Sequence, residues 1–397
     1  MEGKTLMVSR NAEKIERDPI RILAFLDATV VSGNVKPVLA LARYTRKNAA
    51  IDHRPLEFSL LAFVRSESDP EMVNALREEG FTVDVVRERH RFDFRVFPQL
   101  RAIVELRQPD VLWTHGTKPH FLVRAAGLSR KRAWIAFHHG YTATTLAWRL
   151  YHQLDRWSLR GANRVMTACE AFAKDLNCRL GVSRERLSVH RSPLAADSSR
   201  RNRSDIDRVP ERLDLPNDAR IVLSVGRLSK EKGHADLIRA MQLVCQQHRG
   251  AVLVIVGDGP ERRRLEHLCD QLRLGTSVRF VGYSDDVTPY YEAATVFALT
   301  SHSEGSPNVL LEAMQAAVPI VATAVGGVGE MIRHREHALL VQRGDVKGIA
   351  AGIVALLSDP ELCRTFTAAA HQSLAAYSLE RYDSGVASQF EAVVLPR

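Results

Sequence analysis

The sequence predicts an α/β protein: two Rossmann-like, doubly wound domains facing a central cleft. Three observations predict it. Short apolar runs alternate with longer amphipathic segments along nearly the whole chain. Several of the runs are apolar at consecutive rather than alternate positions, as in a parallel sheet covered by helices on both faces. The alternation is also broken once, by the polar, Pro-punctuated, Arg-rich stretch Ser192–Pro216, and then restarts. At 397 residues the chain is long enough for two domains with a core each.

The first-half strands are expected at Ile20–Leu26, Phe58–Val64, Phe81–Val86, Val111–Thr114, Trp134–Phe137 and Arg164–Ala168, with helices such as Val35–Arg46, Glu71–Glu79 and Val96–Arg107 between them. The second series runs Ile221–Val225, Ala251–Val256, Val278–Val281, Val296–Leu299, Ile320–Ala322 and Ala338–Val341. Its helices are expected at Ala235–Gln247, Glu261–Leu272, Asn308–Ala317, Val346–Ser358 and Pro360–Tyr377. The boundaries follow as a first domain over 1–195, a linker over 196–216 and a second domain over 217–378. The tail Leu379–Val394 is expected as a last helix folding back across the first domain. Ligands of such sheets bind outside the carboxyl ends of the strands, which places a site in the cleft.

Composition limits the function. With 45% hydrophobic and 25% charged residues, the chain has an ordinary soluble balance. No apolar run approaches the roughly 18 to 20 residues that span a bilayer. The N-terminal segment carries charges where an export signal has its apolar stretch, so a cytoplasmic protein is expected. The five cysteines, Cys169, Cys178, Cys245, Cys269 and Cys363, are scattered and odd in number, against a disulfide framework or zinc site. Lys and Arg outnumber Asp and Glu 55 to 46, giving +9, which favours anionic partners: nucleotide phosphates, acidic headgroups or nucleic acid. A merely soluble basic surface reads the same way.

Five segments carry chemistry. Val225–Gly233 (VGRLSKEKG) follows a strand and precedes a helix. Gly226 permits a sharp turn, and Arg227 and Lys232 stand beside a helix N-terminus, where a diphosphate is favoured. A solvated basic loop is the plain alternative. Val256–Pro260 (VGDGP) admits a close backbone approach at Gly257 and Gly259, by a ligand or by the other domain, or is simply a tight turn. Ser303–Met314 (SEGSPNVLLEAM) enters a helix near Pro307 or Asn308. The amides of Gly305, Ser306 and Asn308 would meet phosphate there. Glu304 and Glu312, eight positions apart, can accept hydrogen bonds from vicinal hydroxyls of a sugar or ribose. The alternative is a helix cap and a surface acid, but the apolar neighbours of Glu312 argue against the latter.

Phe137–Tyr141 (FHHGY) ends a strand, where His139 could donate to a substrate hydroxyl or serve only as a packed histidine. Adjacent histidines on a strand end point apart, which makes a metal pair a poor fit. Thr29–Asn34 (TVVSGN) opens the first helix: Ser32 or Asn34 can cap it, and Gly33 can admit a ligand. His115–Lys118 is of the same kind, a contact to an acceptor or phosphate, or none. Asp205-Ile206-Asp207 has the D-x-D spacing of a divalent-cation site but lies in the linker without a preceding strand.

The EGSPNVLLEA wording, with seven residues between Glu304 and Glu312, resembles the E-x7-E signature of the retaining glycosyltransferases of family four. VGRLSKEKG and VGDGP stand in the expected order before it, and Ala324–Glu330 (AVGGVGE) after it. The likeness is continuous from about Ile221 to Leu357 and weaker in the first half. There Ser32-Gly33 stands where many members have Gly-Gly, and Arg191-Ser192-Pro193 where many have Asn-Gly. The resemblance implies the two-domain GT-B fold and a nucleotide-diphosphate-sugar donor. The implied diphosphate contacts are Arg227, Lys232 and, from the opposite domain, Gly33. Glu304 would bind the sugar hydroxyls, Gly305 and Ser306 would lie near sugar and phosphate, Glu312 would bind the ribose, and His139 would stand beside the reacting sugar. No cofactor and no divalent metal are implied. Family habit adds a glycan or lipid-linked acceptor and peripheral contact with an anionic inner membrane face. Two rival readings stay open here: a non-hydrolysing nucleotide-sugar epimerase on the same scaffold, and a basic nucleic-acid or membrane-surface binder. Dispersal of the Arg residues argues against nucleic acid.

Overall fold

The structure is a computed structural model that describes residues 18–394 except 27–32, 34, 49–52, 91–92, 142–145, 195–207 and 217. Thirteen described strands form two sheets, both wholly parallel. The first has the order β3-β2-β1-β4-β5-β6-β7, with β1 Ile20–Leu26, β2 Leu56–Val64, β3 Thr82–Arg87, β4 Val111–His115, β5 Ala133–His138, β6 Arg164–Thr167 and β7 Leu187–Val189. The second has the order β10-β9-β8-β11-β12-β13, with β8 Arg220–Val225, β9 Ala251–Val256, β10 Val278–Gly282, β11 Val296–Leu299, β12 Ile320–Thr323 and β13 Leu339–Val341. The central strands are buried on both faces, as their unbroken apolar runs require: all six residues of β9 and all four of β11 are buried.

Strand order reverses once in each sheet, where β1 lies between β2 and β4 and where β8 lies between β9 and β11. The loops leaving these neighbours go to opposite faces, so a crevice opens at the carboxyl ends of β1/β4 and of β8/β11. The segments containing Gly33 and His115, and those containing Arg227 and Glu304, follow these four strands.

The expected strands are present with ends moved by one or two residues. The three-residue β7 is an addition: its half-buried Leu-Ser-Val is too short to show a period. Helices Thr117–Ala125 and Leu146–Leu159 are also additions. The helix expected over Pro360–Tyr377 is α-helical to Ser373 and tightens to a 3₁₀ turn over Leu374–Tyr377. Helix Leu379–Val394 returns to the first sheet. Its Tyr382, Val386, Ala387 and Phe390 enter the core containing Ile22, Phe58 and Trp113. Phe390 meets Trp113 edge-on at 5.3 Å, and Asp383 pairs with His53 at 2.8 Å. Burying Phe390 fully contributes about 1.5–3 kcal/mol, which holds this helix on the first sheet rather than the second.

Candidate active site between the two sheets

The site is built from the ends of β8 and β11. After β8 the chain makes a 3₁₀ turn, Lys230–Lys232, and passes through Gly233 at φ +67° into helix His234–Gln247. A Cβ on Gly233 would run into the carbonyl of Thr300, so glycine lets this loop lie on the end of β11. The contact brings Lys232 against Glu304: Nζ donates to Oε1 at 2.7 Å, and Ser301 Oγ donates to the same oxygen at 2.6 Å. Glu304 is buried, and its backbone carbonyl accepts from Gly327 N at 3.1 Å. Gly326, at φ +51°, has no room for a Cβ against that same carbonyl. A carboxylate this enclosed is stable only because a cation and a hydroxyl meet it. Arg227 is exposed and makes no side-chain hydrogen bond or ion pair among the described residues.

Helix Asn308–Gln315 begins after Pro307, the N-cap residue, in extended geometry. Glu312 stands on its half-buried side. The hydroxyl of the fully buried Tyr291 lies 3.1 Å from Glu312 Oε2 and 3.1 Å from Val309 O. Burial, with Glu312 adding to it, pushes the Tyr291 phenol well above its ordinary range, so it stays a donor. Oε1 of Glu312 is held at 3.2 Å by Lys36, from the first helix of the other half. Asn308 Nδ2 donates to Gly33 O at 3.4 Å across the same gap, and Asn308 Oδ1 is enclosed without a partner among the described residues.

The glycines of the VGDGP turn have a structural explanation. A Cβ on Gly257 would meet the Gly226 backbone and one on Gly259 the Leu228 backbone, so the close approach is made by the first loop of the same half and not by the other domain. Gly305 packs on Phe172 and Ala168 of the first half. Ser306 Oγ accepts from Ser192 N at 2.9 Å.

In the first half the two adjacent histidines do point apart. His138 reaches Asp155 at 3.4 Å, which also takes His120 at 2.7 Å and the Tyr141 hydroxyl at 2.9 Å. Burial alone would raise the Asp155 pKa, but His120 and His138 outweigh it and hold the carboxyl far below its usual range. His139 instead has its Nε2 3.1 Å from Nδ1 of His115. Burial first, then the charges of His138 and His120, push His139 down to about 3, so its ring is neutral. Lys118 belongs to the scaffold: it pairs with Glu88 at 2.8 Å and lies 4.1 Å from the Phe63 ring centre.

Arg227, Lys232, Glu304, Gly305, Ser306 and Pro307 thus stand on adjacent loops, with Asn308 and Glu312 on the helix that follows and Gly33 opposite Asn308. Ser32, Asn34, Asp205 and Asp207 lie outside the described residues. Among the described residues no cluster of three His, Cys, Asp or Glu could hold a metal ion. Lys36, Tyr291 and Asp155 have no local sequence signal, because each acts through a partner elsewhere in the chain, and Glu330 ends the AVGGVGE segment without a sign of its partner. Glu330 accepts from Glu170 N and Ala171 N, at 3.0 and 3.1 Å, and pairs with Arg191 at 3.0 Å.

Residues 205–373 match the family model described as glycosyl transferases group 1, and residues 50–192 that of glycosyltransferase family 4. The chain belongs to this glycosyltransferase family. Among curated relatives of this family member, two lipopolysaccharide core biosynthesis glycosyltransferases of Rhizobium meliloti align well. LpsD is 36% identical over 45% of this chain and 53% of its own length, and LpsE is 35% identical over 41% and 47%. The chain therefore spans about half the length of the curated relatives it matches. Among solved structures, Anabaena HepE in complex with UDP and glucose superposes with a TM-score of 0.77 at 20% identity, covering 94% of this chain and 100% of that one. WaaG, a glycosyltransferase involved in lipopolysaccharide biosynthesis, gives 0.70 at 15% identity over 94% and 99%. These likenesses establish the two-domain GT-B fold. No helix of the described residues is long and apolar enough to cross a membrane.

Proposed function

We propose that the protein transfers a sugar, with retention, from a nucleotide-diphosphate sugar to a hydroxyl of a glycan or lipid-linked acceptor in lipopolysaccharide or polysaccharide assembly. The observation that carries this reading is the Lys232–Glu304 pair, an ammonium and a carboxylate 2.7 Å apart where the β8 and β11 loops meet. The cation, with Arg227 beside it, suits the departing diphosphate, and the anion suits sugar hydroxyls. Names of the relatives support the acceptor class, and HepE, solved with UDP and glucose, supports a uridine donor.

In this reaction the C1–O bond to the diphosphate breaks while the acceptor oxygen bonds C1 on the same face. The acceptor proton passes to the departing phosphate oxygen. Arg227, Lys232 and the amides opening helix Asn308–Gln315 stabilise the charge that develops on the leaving group. Glu304 and Glu312 hold the sugar and ribose hydroxyls, His139 and Gly33 approach from the first half, and closure of the halves excludes water. No divalent metal or cofactor takes part. The protein works in the cytoplasm, in peripheral contact with the inner membrane face. The family match in both halves supports this reading over an epimerase or a nucleic-acid binder.

A thermal-shift screen of UDP-, GDP- and ADP-sugars tests it, since a ligand that binds only the folded chain raises the melting temperature. One of them should stabilise the protein and release its nucleoside diphosphate when a glycan acceptor is added. Epimerisation of the donor without acceptor, or no stabilisation by any of them, would overturn the proposal.

A further inference from the structure

His115 is buried at the end of β4 with its ring plane fixed, stacked on Phe137 at 5.3 Å and edge-on to Trp113 at 4.5 Å. Its Nδ1 is 3.1 Å from His139 Nε2, and its own Nε2 is enclosed without a partner. A neutral imidazole carries one proton, so the pair has two arrangements. In one, His139 Nε2–H donates to His115, whose proton then sits on the enclosed Nε2 as a donor with no acceptor. Trp113 Nε1–H is already a buried donor without an acceptor beside this ring, so that arrangement puts two stranded N–H groups into one apolar pocket. In the other, His115 Nδ1–H donates to His139 Nε2 and leaves only a bare lone pair inside. Orphaned buried N–H groups are the rarer and more costly defect.

We propose that His115 is a positioning residue that fixes His139 in the Nδ1–H tautomer, so that His139 presents a hydrogen-bond donor, not an acceptor, to the site. Among the described residues Nδ1 of His139 makes no hydrogen bond and is not enclosed, so this N–H is the atom available to a ligand. A donor at this point selects a ligand oxygen with a free lone pair, such as a sugar hydroxyl or a charged phosphate oxygen, and disfavours a bare N–H or alkyl group. In catalysis the inference rests on the transferase reading above. As a statement about the histidine pair it does not.

The test separates the two. Long-range ¹H–¹⁵N spectra of the full chain, ¹⁵N-labelled at histidine and free of ligand, should show His139 protonated on Nδ1 in the wild type. His115→Asn places an amide N–H near the position of Nδ1–H and should keep that tautomer. His115→Leu keeps the pocket apolar but cannot donate, and should move His139 towards Nε2–H. With UDP-glucose as probe, UDP release by His115→Leu should fall about 10-fold or more in kcat with little change in KM, and His115→Asn should recover most of it. An Nε2–H His139 in the wild type, or a tautomer unchanged by His115→Leu with unaltered melting temperature, overturns the proposal. If the wild type does not turn over UDP-glucose, that counts against the uridine donor, while the tautomer result still decides the role of His115.

Discussion

Lys232 and Glu304 neutralise one another, which shapes how each substitution will behave. Glu304→Gln keeps the side-chain shape and an acceptor for Ser301 and Lys232, so folding should be retained. Lys232→Ala leaves the buried Glu304 carboxylate with only a hydroxyl partner, and removing one member of a buried pair is destabilising. Lys232→Ala should lose about 10²–10³ in turnover, as when one preorganised charged contact is removed from a developing anion, and Glu304→Gln should lose turnover through a weaker grip on the sugar hydroxyls, but only Lys232→Ala should also lower the melting temperature. Steady-state kinetics alongside calorimetry read the two effects separately, and near-normal transfer by both variants would sink the assignment. The two acids and two cations were legible in the sequence because residue type and strand-loop-helix context already restrict their chemistry. Lys36, which caps Glu312 from 276 positions away, was not, because nothing local to a lysine in a first helical turn indicates an acid on another sheet.

Elements explain why the loops are where they are. The strands were readable because burial on both faces forces unbroken apolar runs, and β7 escaped because three half-buried residues carry no period. The loop glycines were readable as turns, and Gly257 and Gly259 as close approaches, but their partners were not readable. Gly233 fits under Thr300, Gly257 under Gly226, and Gly326 under Glu304, and each contact depends on tertiary structure alone. Gly233→Ala should therefore cost more than the loss of glycine's freedom in a turn, since the new methyl must displace the end of β11 as well as adopt φ +67°. We expect about 1–3 kcal/mol of destabilisation, the usual cost of overpacking, seen as a lower denaturant midpoint at unchanged m-value. Turnover should fall further than stability, because the same shift separates Lys232 from Glu304. Gly329→Ala, whose Cβ meets nothing within 4 Å, is the control and should be nearly neutral.

At the scale of the whole molecule, acid and one carboxylate act on the assembly. Burial pushes His190 and His234 down to about 4, and His139 lies at about 3, against an ordinary 6.5. The unfolded chain takes up these protons first, so stability should be full above about pH 6.5 and fall as pH drops towards 4. Melting curves across that range check the sign, and a melting temperature that held level would contradict it. One contact between the halves is made by Glu330, which follows β12. Its two oxygens accept the first amides of helix Glu170–Leu180 in the other half, and Arg191 pairs with it at 3.0 Å. A carboxylate at a helix N-terminus is favoured by the unpaired amides and the dipole. Here that preference links two halves that also meet through Lys36 and Glu312, through Asn308 and Gly33, and at Gly305 and Gly327. Glu330→Ala removes a cap contributing about 1 kcal/mol without touching either core, so each half should stay folded while the closed arrangement loses its tie. The expected result is a larger radius of gyration by small-angle scattering and a raised KM for the donor, with kcat less affected because Lys232 and Glu304 remain in place. Adding donor should restore the compact form, since binding across the cleft favours the closed arrangement. Scattering identical to the wild type in the absence of ligand would mean that other contacts hold the halves together and that Glu330 caps a helix and does nothing more.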